Sequence, residues 1–313
     1  LNSFAARLDE VLGAGRVAAG ASMAPYTTFR VGGPADWFVT VRTADEIRAC
    51  IEVAREHGVA VVFLGGGSNV LVADAGVRGL VVRIHGGDVA MHGDHTVRAD
   101  AGVTINGLVR WTINRGVAGL EAWAGTPGTV GGAVHGNAHF QGRLVSELIE
   151  RVTLAAPSGD IVVVPVERME FGYDDSRLHR TGEAVVSADF RVTRGDAAVL
   201  RGVARESLAF RKRTQPLEAA SAGCIFQNPD GTRDAVPAGI PPSAGALVDR
   251  AGLKGVREGQ ARVSPTHANF IVNDGGATAD EIARLVDRCK DEVKQKLGVA
   301  LREEIVRLGE WQR

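Results

Sequence analysis

The 313 residues are 45% hydrophobic, which suffices for about two domains with proper cores. The 36 basic and 37 acidic residues are well mixed and sum to a formal charge of -1, so the chain lacks the electrostatic footprint of a protein that binds nucleic acid or an anionic membrane. No apolar run approaches the roughly 18 residues of a membrane span, and residues 1–20 do not read as a basic segment followed by an apolar one, so the expected address is cytoplasmic. Cys50, Cys224 and Cys289 show no paired or metal-type spacing, and an odd count fits a reducing compartment.

In chain order, residues 3–13 read as a short amphipathic helix carrying Phe4, Leu8, Val11 and Leu12. A β-prone run over 28–35 is broken by Gly32-Gly33-Pro34, and a strand is expected over 37–41. Thr43 and Glu46 form a capping box for a helix with Ile47, Cys50, Ile51 and Ala54 on one face, stopped by Gly58. The next strand, 59–64, opens on a glycine-rich loop and then on the β-prone Val70-Leu71-Val72, not on a helix, so this is no Rossmann fingerprint. Strands follow at 80–84 and 96–99, and a helix at 104–115. Beyond residue 150, strands are expected at 152–156, 161–164 and 184–192, with 157–160 as a hairpin turn. The periodicity then gives helices at 196–213, 243–251 and 278–297, the last with Glu281 at its capping position, and strands at 269–272 and 299–308. This is α+β order, with a domain boundary near 195–215.

Two stretches are too rich in glycine for ordinary turns. Gly65-Gly66-Gly67-Ser68-Asn69 lies at the carboxyl end of a strand, and residues 119–142 include Gly125-Thr126-Pro127-Gly128-Thr129 and Gly131-Gly132. Bare main-chain N–H groups in such turns form concave anion sites. Both stretches are expected to be loops lined by backbone, cradling one extended phosphorylated ligand.

Candidate chemistry is sparse. Cys224 sits among small residues before an Asn-Pro turn, where a thiol of ordinary pKa could donate a proton or act as a nucleophile, or could simply fill a core. Cys50 and Cys289, on apolar helix faces, read as core. Glu304 lies in the expected last strand, sharing a face with Arg302, Val306 and Leu308, either as a solvated strand-end charge or as a catalytic group. The eight histidines make no metal-binding spacing, so no metal site is expected. His267 precedes a strand and reads as structural.

Taken together, TFRVGGPA (28–35), LGGGSNVLV (64–72), AGTPGTVGGAV (124–134), SAGCIFQNP (221–229), AGLKG (251–255), HANFIVN (267–273) and LREEIVRLG (301–309) resemble the UDP-N-acetylenolpyruvoylglucosamine reductases, in family order and over nearly the whole chain. The resemblance implies an FAD-binding region over 1–200 of the vanillyl-alcohol-oxidase (PCMH) type, made of two α+β subdomains split near 88. A smaller α/β substrate domain over 201–313 would follow, in the shorter subtype of the family. It implies a monomer in which FAD lies against Gly65, Gly66, Gly67, Ser68 and Asn69 and against Gly125, Thr126, Pro127, Gly128, Thr129, Gly131 and Gly132. NADPH would reduce the flavin, which would pass hydride to C3 of a UDP-sugar enolpyruvyl ether. Cys224, where many members carry Ser, would protonate C2; Glu304 would polarise the substrate carboxylate; Tyr173, Arg211 and Asn228 would contact substrate.

One stretch departs from the pattern. The family usually carries Tyr-Arg-x-Ser, whereas this chain has Tyr173-Asp174-Asp175-Ser176 followed by Arg177. A helical turn over 173–178 would put Arg177 on the face of Asp174, held by an ion pair and able to replace the missing cation, with Arg211 as the next candidate. Two other functions stay open. One is a different flavin oxidoreductase on the same cofactor fold, passing electrons to oxygen; the other is a flavin- or nucleotide-sugar-binding module that lost catalysis with Asp174.

Overall fold

The structure is a computed structural model and describes residues 2–231 and 233–311. Local signals act where they are strongest: Thr43 and Thr278 each accept from the N–H three residues on, while Glu46 and Glu281 return the bond, starting the helices Ala44–Glu56 and Ala279–Leu297. The chain folds as two compact units, and its architecture is mixed α and β in both.

The first unit comprises Leu1–Ala21, Ala35–Gly66 and Arg78–Phe210. Its first sheet orders the strands Ala18–Ser22, Pro34–Val41, Val77–Ile84 and Val61–Leu64, the last two parallel. Its second sheet is antiparallel throughout and orders Ile161–Pro165, Ile149–Ala155, Ala184–Arg191, Thr96–Asp100 and Val89–Met91. Helices Asn2–Leu12, Ala44–Glu56 and Ile105–Asn114 bury Leu8, Ile47, Cys50, Leu108 and Ile113 in one continuous core with Val39, Leu80, Val97, Leu154 and Phe190.

Across three strands of the second sheet Arg151, Asp189 and Arg98 lie directly opposite one another. Asp189 is buried and accepts from Arg98 at 2.6 and 3.0 Å and from Arg151. Burial alone would raise this carboxyl, but the two guanidinium groups outweigh it and hold it below its ordinary range. A depressed carboxyl stabilises the fold in full above about pH 4, its unfolded pKa, and loses that contribution as pH falls through the folded value. Asp189→Asn should therefore cost about 1–3 kcal/mol near neutrality, because the two arginines it strands are partly exposed and regain water. Urea unfolding of both proteins at pH 7 and pH 3 checks this: the difference should shrink at pH 3, and a constant gap would assign the loss to packing.

The second unit comprises Ser22–Pro34, Gly67–Val77 and Arg211–Arg313. This is not a single cut near residue 200, and the reason is pairing. Strand Val306–Leu308 runs parallel to Val70–Val72, with Val306 opposite Val70, and Phe29, Val31 and Leu71 share the core of the later chain. Helix Ala279–Leu297 lays Ile282, Leu285, Val286, Cys289 and Val293 on a three-stranded antiparallel sheet of Arg257–Glu258, Ala261–Val263 and Ile271–Asn273. The strand expected over 299–308 is confined to Val306–Leu308, because the main chain before it is used elsewhere, as described below.

Candidate active site

The two glycine stretches differ in what they leave open. Residues 119–142 are not one irregular loop: they contain a 3-10 turn at Glu121–Trp123 and a short helix, Val130–His135, capped by Thr129. Most of the N–H groups expected to be bare there are spent on the fold. Gly125 donates to Asn106 Oδ1 (2.7 Å), Thr126 to the Trp123 carbonyl (3.0 Å), Gly131 to that of Ala101 (2.8 Å) and Gly132 to Thr129 Oγ1 (3.4 Å). From Gly65 to Asn69, by contrast, no main-chain N–H is donated to a protein acceptor among the described residues. The segment is held from its carbonyl side: Gly67 O accepts from Thr28 N at 3.0 Å, and Asn69 O from Val306 N at 2.9 Å. A run of undonated N–H groups beside backbone packed too close for a side chain is what a diphosphate needs. At Gly66 an added Cβ would lie 2.8 Å from Gly128 Cα, so the glycines also let the two stretches touch.

In the second unit the thiol loop is fixed from both sides. Ile225 donates its N–H to the Asn269 carbonyl (2.8 Å), while its own carbonyl accepts from Glu304 N (2.8 Å). Phe226 N donates to Asn269 Oδ1 (2.9 Å), Asn269 Nδ2 donates to Phe226 O (2.7 Å), and Gln227 N donates to the Arg302 carbonyl (2.9 Å). Asn69 Nδ2 closes the frame on the Glu304 carbonyl at 3.0 Å. Cys224 and Glu304 thus hang from one continuous main-chain network, and strand alternation does not set the direction of Glu304. Both are partly buried. Arg211 is 5% exposed; burial pulls its guanidinium down to about 10, and the Cys224 thiolate works against that. Arg211 therefore stays charged near neutral pH within electrostatic reach of the thiol. Asn228, expected at the substrate, uses its Oδ1 on the first N–H of helix Ala244–Arg250 (3.0 Å). Cys50 and Cys289 are buried, which pushes both thiols up to about 12 and leaves them chemically quiet.

Residues 35–165 match the model of an FAD binding domain. Residues 215–308 match that of the UDP-N-acetylenolpyruvoylglucosamine reductase C-terminal domain. The reductase of that name from Heliobacterium modesticaldum is 36% identical over 92% of this chain and 89% of its own, and that from Chlamydia abortus 37% over 90% of each. The crystal structure of UDP-N-acetylenolpyruvylglucosamine reductase (MurB) from Thermus caldophilus superposes with a TM-score of 0.79 at 34% identity, covering 94% of this chain and 99% of that one. The chain belongs to the UDP-N-acetylenolpyruvoylglucosamine reductase family.

Within that family frame, the departure at Asp174 takes a form that local spacing did not suggest. Residues 173–178 are not a helical turn: Gly172 N donates to Asp175 O (2.9 Å), Asp174 adopts φ 52°, and the helix begins only at Leu178. In place of the expected Asp174–Arg177 ion pair, each residue has another partner. Arg177 forks onto Glu183, Nε at 2.9 Å and Nη2 at 3.0 Å, with Nη1 on the Arg168 carbonyl. Asp174 Oδ1 lies 2.9 Å from His139 Nδ1. Its second oxygen is buried without a hydrogen-bond partner among the described residues. Tyr173, 43% exposed, tilts its ring over His139 with its hydroxyl 3.4 Å from Nε2. The acid is thus matched to an imidazole, and Arg177 is a brace of the fold.

His139 and Asn269 are the residues that sequence reasoning missed. For His139 the only local signal was a polar aromatic inside a glycine-rich stretch. For Asn269 it was a polar residue directly before an apolar strand, in a motif whose asparagine was given no role.

Proposed function

We propose that the chain reduces the enolpyruvyl ether of UDP-N-acetylglucosamine to UDP-N-acetylmuramate for peptidoglycan synthesis, with FAD as its cofactor and NADPH as the electron source. The observation that carries this reading is the shared hydrogen-bonded frame of Cys224 and Glu304. Bound and reduced, FAD would supply the hydride for C3 of the enolpyruvyl group. The chain's own residues do the rest.

The N–H groups of Gly65 to Asn69 take the cofactor diphosphate. The carboxyl group of Glu304 polarises the substrate carboxylate, so that negative charge building at C2 and on that carboxylate meets a donor. The Cys224 thiol then gives its proton to C2. Hydride and proton together saturate the double bond, and the thiolate left behind is stabilised by the Arg211 cation until solvent reprotonates it. Arg211, Tyr173 and Asn228 are the proposed substrate contacts.

Among the described residues no helix is long and apolar enough to cross a membrane. We place the enzyme in the cytoplasm, whose reducing conditions suit an odd number of cysteines, and as a monomer, which sedimentation at several concentrations checks.

The purified protein should be yellow. NADPH should bleach it, and the enolpyruvyl sugar nucleotide should restore the colour with equimolar formation of UDP-N-acetylmuramate. A colourless protein that cannot take up FAD contradicts the whole proposal, whereas bleaching without recovery would leave a cofactor-binding module that has lost the second half-reaction.

A further inference from the structure

We infer that Asn269 is a positioning residue that sets the Cys224 thiol for proton transfer, an inference that rests on reading Cys224 as the acid. The chain on either side of Asn269 is apolar, Ala268, Phe270 and Ile271 all being buried, and Asn269 itself is 3% exposed. A buried primary amide is costly unless both ends are satisfied. Here both ends are satisfied by one residue: the amide oxygen accepts from Phe226 N and the amide nitrogen donates to Phe226 O. The Asn269 carbonyl adds a third bond, to Ile225 N.

All three bonds fall on the two residues that follow Cys224, and none on another part of the fold apart from the Asn269 N–H, which His267 Nδ1 accepts at 3.2 Å. The opposite edge of the same two residues carries Glu304, whose N–H is held by Ile225 O. Asn269 therefore fixes the register between the thiol and the carboxyl group. An apolar residue of similar size would fill the space, but Phe226 N and O would lose their partners, leaving the loop held by the main-chain bonds of Ile225 and Gln227 alone and the thiol less firmly set. Misplacement of a reacting group by about 1 Å costs on the order of 100-fold in rate.

Asn273 supplies the comparison. It is a nearby asparagine of the same unit whose Nδ2 donates to Phe29 O (2.9 Å) and whose Oδ1 accepts from Gly275 N (2.9 Å) and Ala277 N (3.0 Å); only its main-chain N–H, which a side-chain substitution keeps, reaches toward the thiol segment, at the Ala220 carbonyl (2.9 Å). Asn269→Ala and Asn273→Ala should both lower the melting temperature. Only Asn269→Ala should slow single-turnover reoxidation of the reduced flavin by the enolpyruvyl substrate, by about 10-fold or more, through kcat and not KM, with flavin reduction by NADPH kept within about 2-fold of the parent. The same variant should change the rate at which iodoacetamide alkylates Cys224 by about 3-fold or more, a readout that needs neither substrate nor turnover. Asn269→Asp, which keeps the shape and the acceptor for Phe226 N but loses the donor to Phe226 O, should show the same split if the alanine variant does not fold.

Reoxidation and alkylation at parental rates in either folded variant would overturn the inference, as would an equal fall of both half-reactions matching Asn273→Ala. A parallel Cys224→Ala protein separates the two claims. If that variant reoxidises normally, the role given to Cys224 fails; if it is slow while the Asn269 variants are fast, only the role given to Asn269 fails.

Discussion

Cys224→Ala should lower steady-state turnover by about 10²- to 10⁴-fold, the usual worth of a positioned general acid, while NADPH still reduces the flavin at its normal rate. The asymmetry follows from the chemistry. Hydride transfer into the cofactor needs no protein acid, but saturation of the enolpyruvyl double bond leaves charge at C2 that only a proton removes. Cys224 is held for that task by Ile225, which donates to Asn269 on one side and accepts from Glu304 on the other. Cys224→Ser should retain part of the activity, since a hydroxyl donates from the same place but is a weaker acid. Stopped-flow traces of the two half-reactions separate these outcomes, and a normal second phase in the alanine variant would return Cys224 to being a packing residue.

Much of the fold was legible because its signals are local. The capping boxes at Thr43 and Thr278, the apolar stripe from Ile282 to Val293, and the hairpin turn between Ile149–Ala155 and Ile161–Pro165 each depend on residues within a few positions of one another. Pairings between distant residues were not legible. Asp174 meets His139, 35 positions before it, and the N–H of Gly131 is taken by Ala101, so neither partner could be chosen by counting along the chain. The last strand was overextended for a related reason: residues 302–304 alternate as a strand should, but their main chain bonds to Ile225, Gln227 and Asn69. As for the site, the residues themselves left Cys224 and Glu304 undecided. Family resemblance singled them out, and the folded chain supplies the hydrogen bonds that join them.

Gly67→Ala should yield a protein that purifies nearly colourless, with affinity for FAD reduced by about 10²- to 10⁴-fold. Gly67 adopts φ +62°, and a Cβ there would lie 2.0 Å from the Tyr26 carbonyl oxygen, a backbone atom that cannot rotate away. The left-handed conformation alone costs an L-residue roughly 1–2 kcal/mol. Relief of the clash then requires the loop to move off Tyr26 and to break the bonds from Thr28 to Gly67 O. That movement turns the N–H groups of Gly65 to Asn69 away from any bound diphosphate. Each hydrogen bond to a charged group contributes about 1.5–3 kcal/mol, so the loss of two accounts for the expected change in affinity. Gly66→Ala should act in the same direction but more weakly, because its Cβ would approach Gly128 Cα at 2.8 Å and a smaller shift relieves it. Gly202→Ala is the control: it lies in helix Ala197–Thr214 with open space around an added Cβ, so it should keep full colour and gain stability, by about 0.5–1 kcal/mol. Fluorescence titration of the apoproteins with FAD measures all three, and unaltered FAD affinity in Gly67→Ala would mean that the diphosphate is held elsewhere than on the main chain of residues 65–69.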